Sequence, residues 1–230
     1  DIENSYQEDY SDPHTGSYAQ ELAIGWRLPE EGQQEPSMQE FLATITAPTN
    51  GSLENITGHA LYKSANTDVL AWLCEEVSGK PLRQWILEIV EATGIEGNWY
   101  MHTDRQGFPV VDGGVCLNAR DLARFGQLFV RRGTGVKGRN VGNADFIEQS
   151  LKHPGPSLPP PKDICRYSNQ TMTNDVWIGH GGYGGQFLLA NLETSVSVSF
   201  FSVLENKDAI DPFYWVQIVK TIERVAAEFG

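Results

Sequence analysis

Hydrophobic and polar residues alternate with a helical period between residues 61 and 79. The apolar positions recur at spacings that place them on one side of a helix: Val69, Leu70, Leu73 and Val77. We therefore predict a helix that buries this side. Three polar residues ahead of it suit an N-cap: Ser64, Asn66 and Thr67. Gly79 suits the left-handed residue that ends a helix, so Tyr62 is predicted to lie directly before a rigid helix.

A helix after residue 118 has the clearest end signals in the chain. Asn118 is a good N-cap, and Asp121 follows three residues later, as in a capping box. Gly133 provides the stop. The predicted buried stripe consists of four apolar residues: Leu122, Phe125, Leu128 and Phe129. Shorter helices are predicted at residues 17–22, 38–45, 82–92 and 145–151.

Strand signals begin after residue 175. Residues 175–180, 186–192 and 195–203 have strand character, and Glu193-Thr194 fits a tight hairpin turn. Apolar residues alternate with serines along the last of these segments, which predicts one buried face. The alternating apolar residues are Val196, Val198 and Phe200. The glycine-rich segment 181–185 predicts a sharp bend.

Helical segments thus precede an antiparallel sheet, and a final helix follows it. Asp211-Pro212 starts that helix as N-cap and first residue. Its predicted core-facing residues are Ile218, Ile222, Val225 and Phe229. We predict an α/β (α+β) fold in which residues 1–165 form a mostly helical lobe with cleft loops. Residues 166–230 would supply strands and the terminal helix of an α/β lobe.

The amino-acid composition argues against several classes of binding partner. The net charge of −13 over 230 residues argues against nucleic acid, and the scattered acidic residues favour an ordinary solvated surface. The apolar runs are too short to span a membrane. The cysteines and histidines show no metal-ligand spacing, so no metal or other cofactor is predicted. The cysteines are Cys74, Cys116 and Cys165, and the histidines are His14, His59, His102, His153 and His180.

Three passages, in this order, resemble one hydrolase family. They are Tyr62-Lys63-Ser64-Ala65-Asn66-Thr67-Asp68, the Gly113-Gly114 pair with Ala119-Arg120-Asp121-Leu122-Ala123-Arg124-Phe125-Gly126, and His180-Gly181-Gly182-Tyr183-Gly184-Gly185-Gln186. The family is the serine β-lactamase and penicillin-recognising fold, in its branch of class C-like esterases and 6-aminohexanoate-dimer hydrolases. Asp9-Tyr10-Ser11-Asp12-Pro13 and Gly25-Trp26-Arg27 resemble the same branch more loosely.

One family motif has no counterpart in the sequence. No serine is followed three positions later by lysine, so the Ser-x-x-Lys motif that carries the nucleophile is missing. In the family this motif lies upstream of the passages quoted above. Because the chain starts at Asp1, the resemblance implies a C-terminal piece of a longer hydrolase that lacks the nucleophile and the first strands of the sheet.

The resemblance implies catalytic roles for three residues. Tyr62 would move protons between the nucleophile and the leaving group. His180 would stand where relatives have a lysine and would bond the Tyr62 oxygen or the substrate. The Tyr183 amide would donate to the oxyanion. From the residues alone, the alternatives are a half-buried tyrosine that bonds a helix end at Tyr62 and a structural histidine at His180.

The resemblance also implies residues that line the cleft. Ser64 takes the place of an asparagine two residues after the tyrosine, and Tyr10 would donate from the opposite wall. Four glycines would shape the cleft or let the substrate approach the backbone: Gly113, Gly114, Gly181 and Gly182. A simple bend between strands is the alternative for the last two.

Tyr167-Ser168-Asn169 spells a literal Tyr-x-Asn motif, but no amphipathic helix follows it. We interpret it as a strand or loop outside the catalytic set.

The predicted function is a serine hydrolase that acts on a small-molecule ester or amide, of the carboxylesterase or 6-aminohexanoate-oligomer type. Two alternatives stay open, a non-catalytic ligand-binding homologue and a β-lactamase or DD-peptidase. The sequence leaves open the oligomeric state and the choice between bacterial cytoplasm and periplasm.

Overall fold

A computed structural model describes residues 12–46, 57–153, 155–205 and 211–229. The chain forms two compact units. Unit 1 contains the described residues within Asp1–Ile56, Leu61–Trp85 and Trp99–Cys116, and unit 2 those within Thr57–Ala60, Ile86–Asn98 and Leu117–Gly230. No helix in the described part of the chain combines the length and apolar character needed to cross a bilayer.

Unit 1 is built from short helices and one small antiparallel strand pair. Its elements are α1 (Gly16–Ala23), α2 (Met38–Leu42), α3 (Ala65–Ser78), β1 (Tyr100–Met101) and β2 (Val115–Cys116). The first turn of helix α4 (Leu82–Thr93) belongs to unit 1, and the rest of the helix belongs to unit 2. Ser37 and Glu40 form a capping box at the start of α2, which ends at Leu42 and is shorter than predicted.

The buried face of α3 differs from the prediction. Leu70, Leu73 and Val77 are 45%, 53% and 79% exposed. The buried side carries Ala65, Asp68 and Ala71 instead. Asp68 accepts hydrogen bonds from distant parts of unit 1, and the two alanines allow close packing around it. These contacts decide which side of α3 faces inward.

The two ends of α3 are closer to expectation. Ser64 occupies the N-cap position, although its hydroxyl caps none of the described helix amides. Gly79 ends the helix with a left-handed backbone at φ 65°, as predicted.

Unit 2 is organised around a five-stranded antiparallel sheet. The strands lie in chain order across it: β3 (Arg166–Ser168), β4 (Thr171–Thr173), β5 (Trp177–Gly182), β6 (Gln186–Asn191) and β7 (Val196–Phe200). Its helices are α5 (Ala119–Val130), α6 (Ala144–Lys152) and α7 (Pro212–Phe229), with a 3-10 turn at Val136–Gly138. The sheet and terminal helix confirm the predicted mixed α/β class. The β3–β4 hairpin was not predicted as a pair of strands.

Apolar residues cover both faces of this sheet. On one face, Trp177, Phe187 and Leu189 pack with three buried residues of the last helix: Ile218, Val219 and Ile222. On the other face, Ile178 and Ala190 pack with Val130 of α5 and Ile147 of α6. Alternate side chains along β5 and β6 therefore reach two separate cores.

The prediction of a single buried face on β7 is wrong. The serine side of β7 lies against α5, because Ser197 Oγ donates to Ala123 O at 2.6 Å and Ser199 Oγ donates to Ala119 O at 2.5 Å. Val198 and Phe200 pack on the core on the opposite side. The serine hydroxyls here donate hydrogen bonds to helix carbonyls. The alternation of serine and apolar residues in the sequence cannot distinguish serines that face a helix from serines that face solvent.

The final helix begins as predicted, but one of its predicted core-facing residues is exposed. Asp211 Oδ1 accepts from the backbone amides of Phe213 and Tyr214 at 2.9 and 3.0 Å, so Asp211 is the N-cap. Ile218 and Ile222 are buried, but Phe229 is 77% exposed at the end of the helix.

Candidate functional site

The candidate residues of unit 1 surround the start of α3. Tyr62 is half-buried and lies immediately ahead of the helix. The turn that follows is closed by two backbone hydrogen bonds, from Asn66 N to Lys63 O at 3.1 Å and from Thr67 N to Ser64 O at 2.9 Å. Ser64 is buried. These bonds fix the chain direction immediately after the tyrosine.

A buried carboxyl pair connects α3 to the turn that carries the glycine pair. Gln20 Nε2 donates to Asp68 Oδ2 at 3.0 Å and to Asp112 Oδ2 at 2.9 Å. Val111 N donates to Asp68 Oδ1 at 3.3 Å. Burial raises the pKa of Asp68, and the neighbouring charge of Asp112 raises it further. Three separate segments of unit 1 therefore meet at this one carboxyl group.

Sequence reasoning missed the role of Asp68. Ala65, Asp68 and Ala71 follow one another at intervals of three residues. Small residues at this spacing on both sides of a carboxylate can mark a close-packed buried face of a helix. This spacing could have predicted that Asp68 is buried.

The glycine pair has packing reasons of its own. A Cβ on Gly114 would lie 2.5 Å from Val110 O and 2.9 Å from Val110 Cβ. The Gly114 carbonyl accepts from His102 N at 2.7 Å, which holds the turn in place. Gly113 is exposed, and a Cβ there would lie 3.3 Å from the ring of Trp26. The turn therefore requires a glycine at position 114, because a side chain there would clash with Val110. At position 113 the absence of a side chain leaves room beside the Trp26 indole.

The candidate residues of unit 2 lie at one end of β5 and in the turn after it. His180, Gly181 and Gly182 belong to the strand, which runs two residues further than predicted, and Gly182 pairs with Gln186. The turn itself is short, with Gly184 and Gly185 at φ 75° and 89°. Tyr183 in this turn is 62% exposed.

Gly181 is also needed by the core of unit 2. A Cβ on it would lie 2.9 Å from both Phe187 Cε1 and Trp215 Nε1. The close packing of these two aromatic rings therefore fixes the backbone at Gly181, whatever the substrate.

The imidazole of His180 is half-buried and hydrogen-bonded at both nitrogens. Nδ1 lies 2.7 Å from Gly181 O, and Nε2 lies 3.4 Å from Tyr167 Oη. Burial lowers the pKa of His180, while the hydrogen bond to the Gly181 carbonyl opposes that shift. The ring is therefore mostly uncharged near neutral pH.

Tyr167 is the partner that sequence reasoning set aside. It lies on β3, which confirms that Tyr167-Ser168-Asn169 belongs to a strand and its turn. Its contact with His180 depends on strand pairing across β3, β4 and β5, so no local signal could have revealed it.

The structure thus groups the candidates into two sets. Tyr62, Ser64, Gly113 and Gly114 belong to unit 1, and His180, Gly181, Gly182 and Tyr183 to unit 2. Tyr10 lies outside the described residues. Within 12–46, 57–153, 155–205 and 211–229, no three His, Cys, Asp or Glu side chains are grouped to hold a metal ion.

Comparison with known proteins gives two informative likenesses. A curated relative from Paenarthrobacter ureafaciens, named 6-aminohexanoate-dimer hydrolase, is 34% identical over 154 residues, which is 65% of this chain and 36% of the relative. A solved structure, described as a putative 6-aminohexanoate-dimer hydrolase from Bacillus anthracis, superposes with a TM-score of 0.73. Its sequence is 21% identical, and the match covers 99% of this chain and 58% of that one.

The chain shares its fold with that structure. The likeness agrees with the expected resemblance to 6-aminohexanoate-dimer hydrolases. The chain spans about a third of the curated relative and little more than half of the solved structure. No family model matches the sequence.

Proposed function

We propose that this chain is part of a serine hydrolase that cleaves an ester or amide through an acyl-enzyme. The observation that carries the proposal is the order of three motifs, at Tyr62, Gly113 and His180. They occur in a chain with 34% identity over 154 residues to a protein named 6-aminohexanoate-dimer hydrolase. Any one of these motifs is weak evidence, but their joint order is specific.

Within this function, the tyrosine handles protons and the turn after β5 stabilises negative charge. Tyr62 relays a proton, because its phenol oxygen accepts the proton of the attacking serine as its own hydroxyl proton moves to the leaving oxygen or nitrogen. The Tyr183 amide donates to the carbonyl oxygen as it becomes an oxyanion. The half-buried position of Tyr62 before α3 supports the first role, and the glycines beside Tyr183 support the second by leaving the backbone accessible.

We place the nucleophile upstream of Asp1 in a longer protein. The support for this is that no serine of the 230 residues is followed by lysine at the third position. Ser64 and Tyr10 are proposed to contact the substrate, as are Gly113, Gly114, Gly181 and Gly182.

The favoured substrates are carboxylic esters or linear amide oligomers, in preference to β-lactams or the peptides of a DD-peptidase. His180 stands where the resemblance places a lysine, and burial lowers its pKa. An uncharged imidazole supplies no fixed positive charge to hold the carboxylate of a β-lactam.

Labelling with a fluorophosphonate tests the proposal. A longer protein that extends upstream of Asp1 should label at a serine, and Tyr62→Phe should slow labelling by about 100-fold or more. Tyr100→Phe is the matched control, because Tyr100 belongs to the same unit and is 68% exposed. Labelling that Tyr62→Phe leaves unchanged would remove the proposed role of Tyr62.

The missing Ser-x-x-Lys motif also favours a second candidate, a ligand-binding homologue without catalysis. A longer protein with no such motif, and no labelling, would establish that candidate instead. The 230-residue chain alone should neither label nor hydrolyse p-nitrophenyl esters. Hydrolysis by the pure chain that is lost on mutation of one of its own serines would contradict the upstream nucleophile.

A further inference from the structure

Tyr167 of unit 2 is held rigidly from both sides. Its backbone amide donates to Pro156 O at 3.0 Å, and β3 and β4 pair on either side of the turn that follows it. Asn169 and Gln170 form this turn with φ of 51° and 57°. Asn169 Nδ2 donates to Ser150 Oγ at 2.9 Å, which anchors the turn to α6. The phenol is therefore presented in a defined place.

The phenol meets His180 through its ring and its hydroxyl. The two rings are 5.7 Å apart between centroids and nearly perpendicular, at 80°. Tyr167 Oη lies 3.4 Å from His180 Nε2. This edge-to-face arrangement limits rotation of the imidazole, and the polar contact lies at one of its two nitrogens.

The other nitrogen decides where the proton of the neutral ring resides. His180 Nδ1 is 2.7 Å from Gly181 O, and a carbonyl oxygen can only accept. Nδ1 therefore carries the hydrogen, and Nε2 of the neutral ring is an acceptor. The carbonyl cannot easily move away, because Phe187 and Trp215 pack against Gly181.

In the part of the chain that the structure describes, two acceptors lie close to the Tyr167 hydroxyl and its single proton. One acceptor is His180 Nε2, and the other is Gln170 Oε1 at 3.3 Å. When His180 is neutral, the proton satisfies Nε2. When His180 is charged, Nε2–H donates to the phenol oxygen, and the hydroxyl turns to Gln170.

We propose that Tyr167 is a positioning residue that donates its hydroxyl to His180 Nε2 and holds the imidazole as the Nδ1–H tautomer at a fixed angle. The assignment of a substrate-facing role to His180 rests on the proposed function. Within that function, rotation of the Tyr167 hydroxyl toward Gln170 frees Nε2 for the substrate. The candidate site would then present an oriented, uncharged hydrogen-bonding group at the end of β5.

Nitrogen-15 NMR of the histidine rings in this 230-residue chain tests the proposal without any need for turnover. The His180 signals should show the Nδ1–H tautomer. Tyr167→Phe removes the donor to Nε2 of the neutral ring, so the Nε2 signal of the neutral state should move downfield as that hydrogen bond is lost, while Nδ1 keeps its hydrogen toward Gly181 O. An Nε2 signal that this variant leaves unchanged, or the Nε2–H tautomer in the wild type, would overturn the proposal.

A second variant tests the other acceptor of the Tyr167 hydroxyl and guards against misfolding. Gln170→Asn tolerates the left-handed backbone, but its side chain is too short to reach the phenol. It removes the oxygen that accepts the Tyr167 hydroxyl proton when His180 is charged. The charged state is then less stable, so the pKa of His180 should fall. A rise in this variant would also contradict the proposal. The signals of His59, in the same unit, should stay in place in both variants, and the result is independent of whether the longer protein is a hydrolase.

Discussion

Two aspartates, one in each unit, occupy the same kind of position with opposite results. Asp68 lies in the first turn of α3 and Asp121 in the first turn of α5, and both are fully buried. Burial alone would raise the pKa of Asp121, but hydrogen bonds from Glu96 N, the Arg124 guanidinium, Gly97 N and Asn118 lower it to about 2. Asp68 instead faces a second carboxylate, and its pKa is raised to about 8, mainly by burial.

The difference shows that helix position and burial do not determine the charge of a carboxyl group. Four donors lie within 3.1 Å of the oxygens of Asp121, one of them a cation. Asp68 accepts from Gln20 Nε2, which it shares with Asp112, and from the Val111 backbone amide at 3.3 Å, and neither donor is a cation. Unit 2 therefore contains an ionised carboxylate that stabilises its fold, and unit 1 contains a carboxyl pair that favours a bound proton.

Removal of the Asp121 carboxylate should have the largest effect. Asp121→Ala removes the buried acceptor of the Glu96 and Gly97 amides and of the Arg124 guanidinium, and should lower the free energy of unfolding by about 2–4 kcal/mol. Urea unfolding monitored by tryptophan fluorescence measures the loss. Asp145→Ala is the matched control, an exposed aspartate in the first turn of α6, and should cost less than about 0.5 kcal/mol. Equal losses of unfolding free energy in the two variants would show that the burial of Asp121 and its hydrogen-bond donors do not stabilise the fold.

The pH dependence of stability should separate the two aspartates. A raised pKa means that folded Asp68 keeps a proton that the unfolded chain releases above about pH 4. Its contribution to stability is therefore lost as the pH rises from about 4 to about 8. Asp121 behaves oppositely, because its contribution is present above about pH 4 and is lost as the pH falls toward 2.

Asp68→Asn tests this directly. The neutral amide cannot ionise, and the Gln20 amide can turn to present its oxygen. Relative to the wild type, we expect the variant to gain about 1–3 kcal/mol in unfolding free energy between pH 5 and pH 8. Urea unfolding at several pH values measures this gain. An equal pH slope in both proteins would show that Asp68 is ionised throughout.

Substitutions at the N-caps of the same two helices should give the smallest difference in unfolding free energy. Asn118 Oδ1 accepts from Asp121 N at 2.9 Å, so Asn118→Ala should cost about 1 kcal/mol in unfolding free energy. Ser64 occupies the N-cap of α3 without a side-chain cap bond among the described residues, so Ser64→Ala should cost less than about 0.5 kcal/mol. A loss at Ser64 as large as that at Asn118 would indicate that the Ser64 hydroxyl has a structural bond of its own.

The parts of the fold that depend on neighbouring residues could be predicted from the sequence. The cap at Asn118, the left-handed Gly79 and the Asp211 N-cap each rest on contacts within four residues. The hairpin was predicted at the right place between two apolar runs, but its loop spans residues 192–195 and not only Glu193-Thr194. The order of the candidate motifs is likewise a property of the sequence, and their proposed roles still await the tests above.

Other features were decided only when distant segments met. The inward side of α3 was set by Asp68 and its partners Gln20 and Val111, against the apolar stripe of the same helix. Tyr167 gained its contact with His180 through strand pairing. The sequence by itself determined the cap at Asn118, the helix end at Gly79 and the cap at Asp211, because those hydrogen bonds are local. The tertiary structure decided burial, charge and side-chain partners, because desolvation and electrostatic interactions depend on which remote groups share the same space.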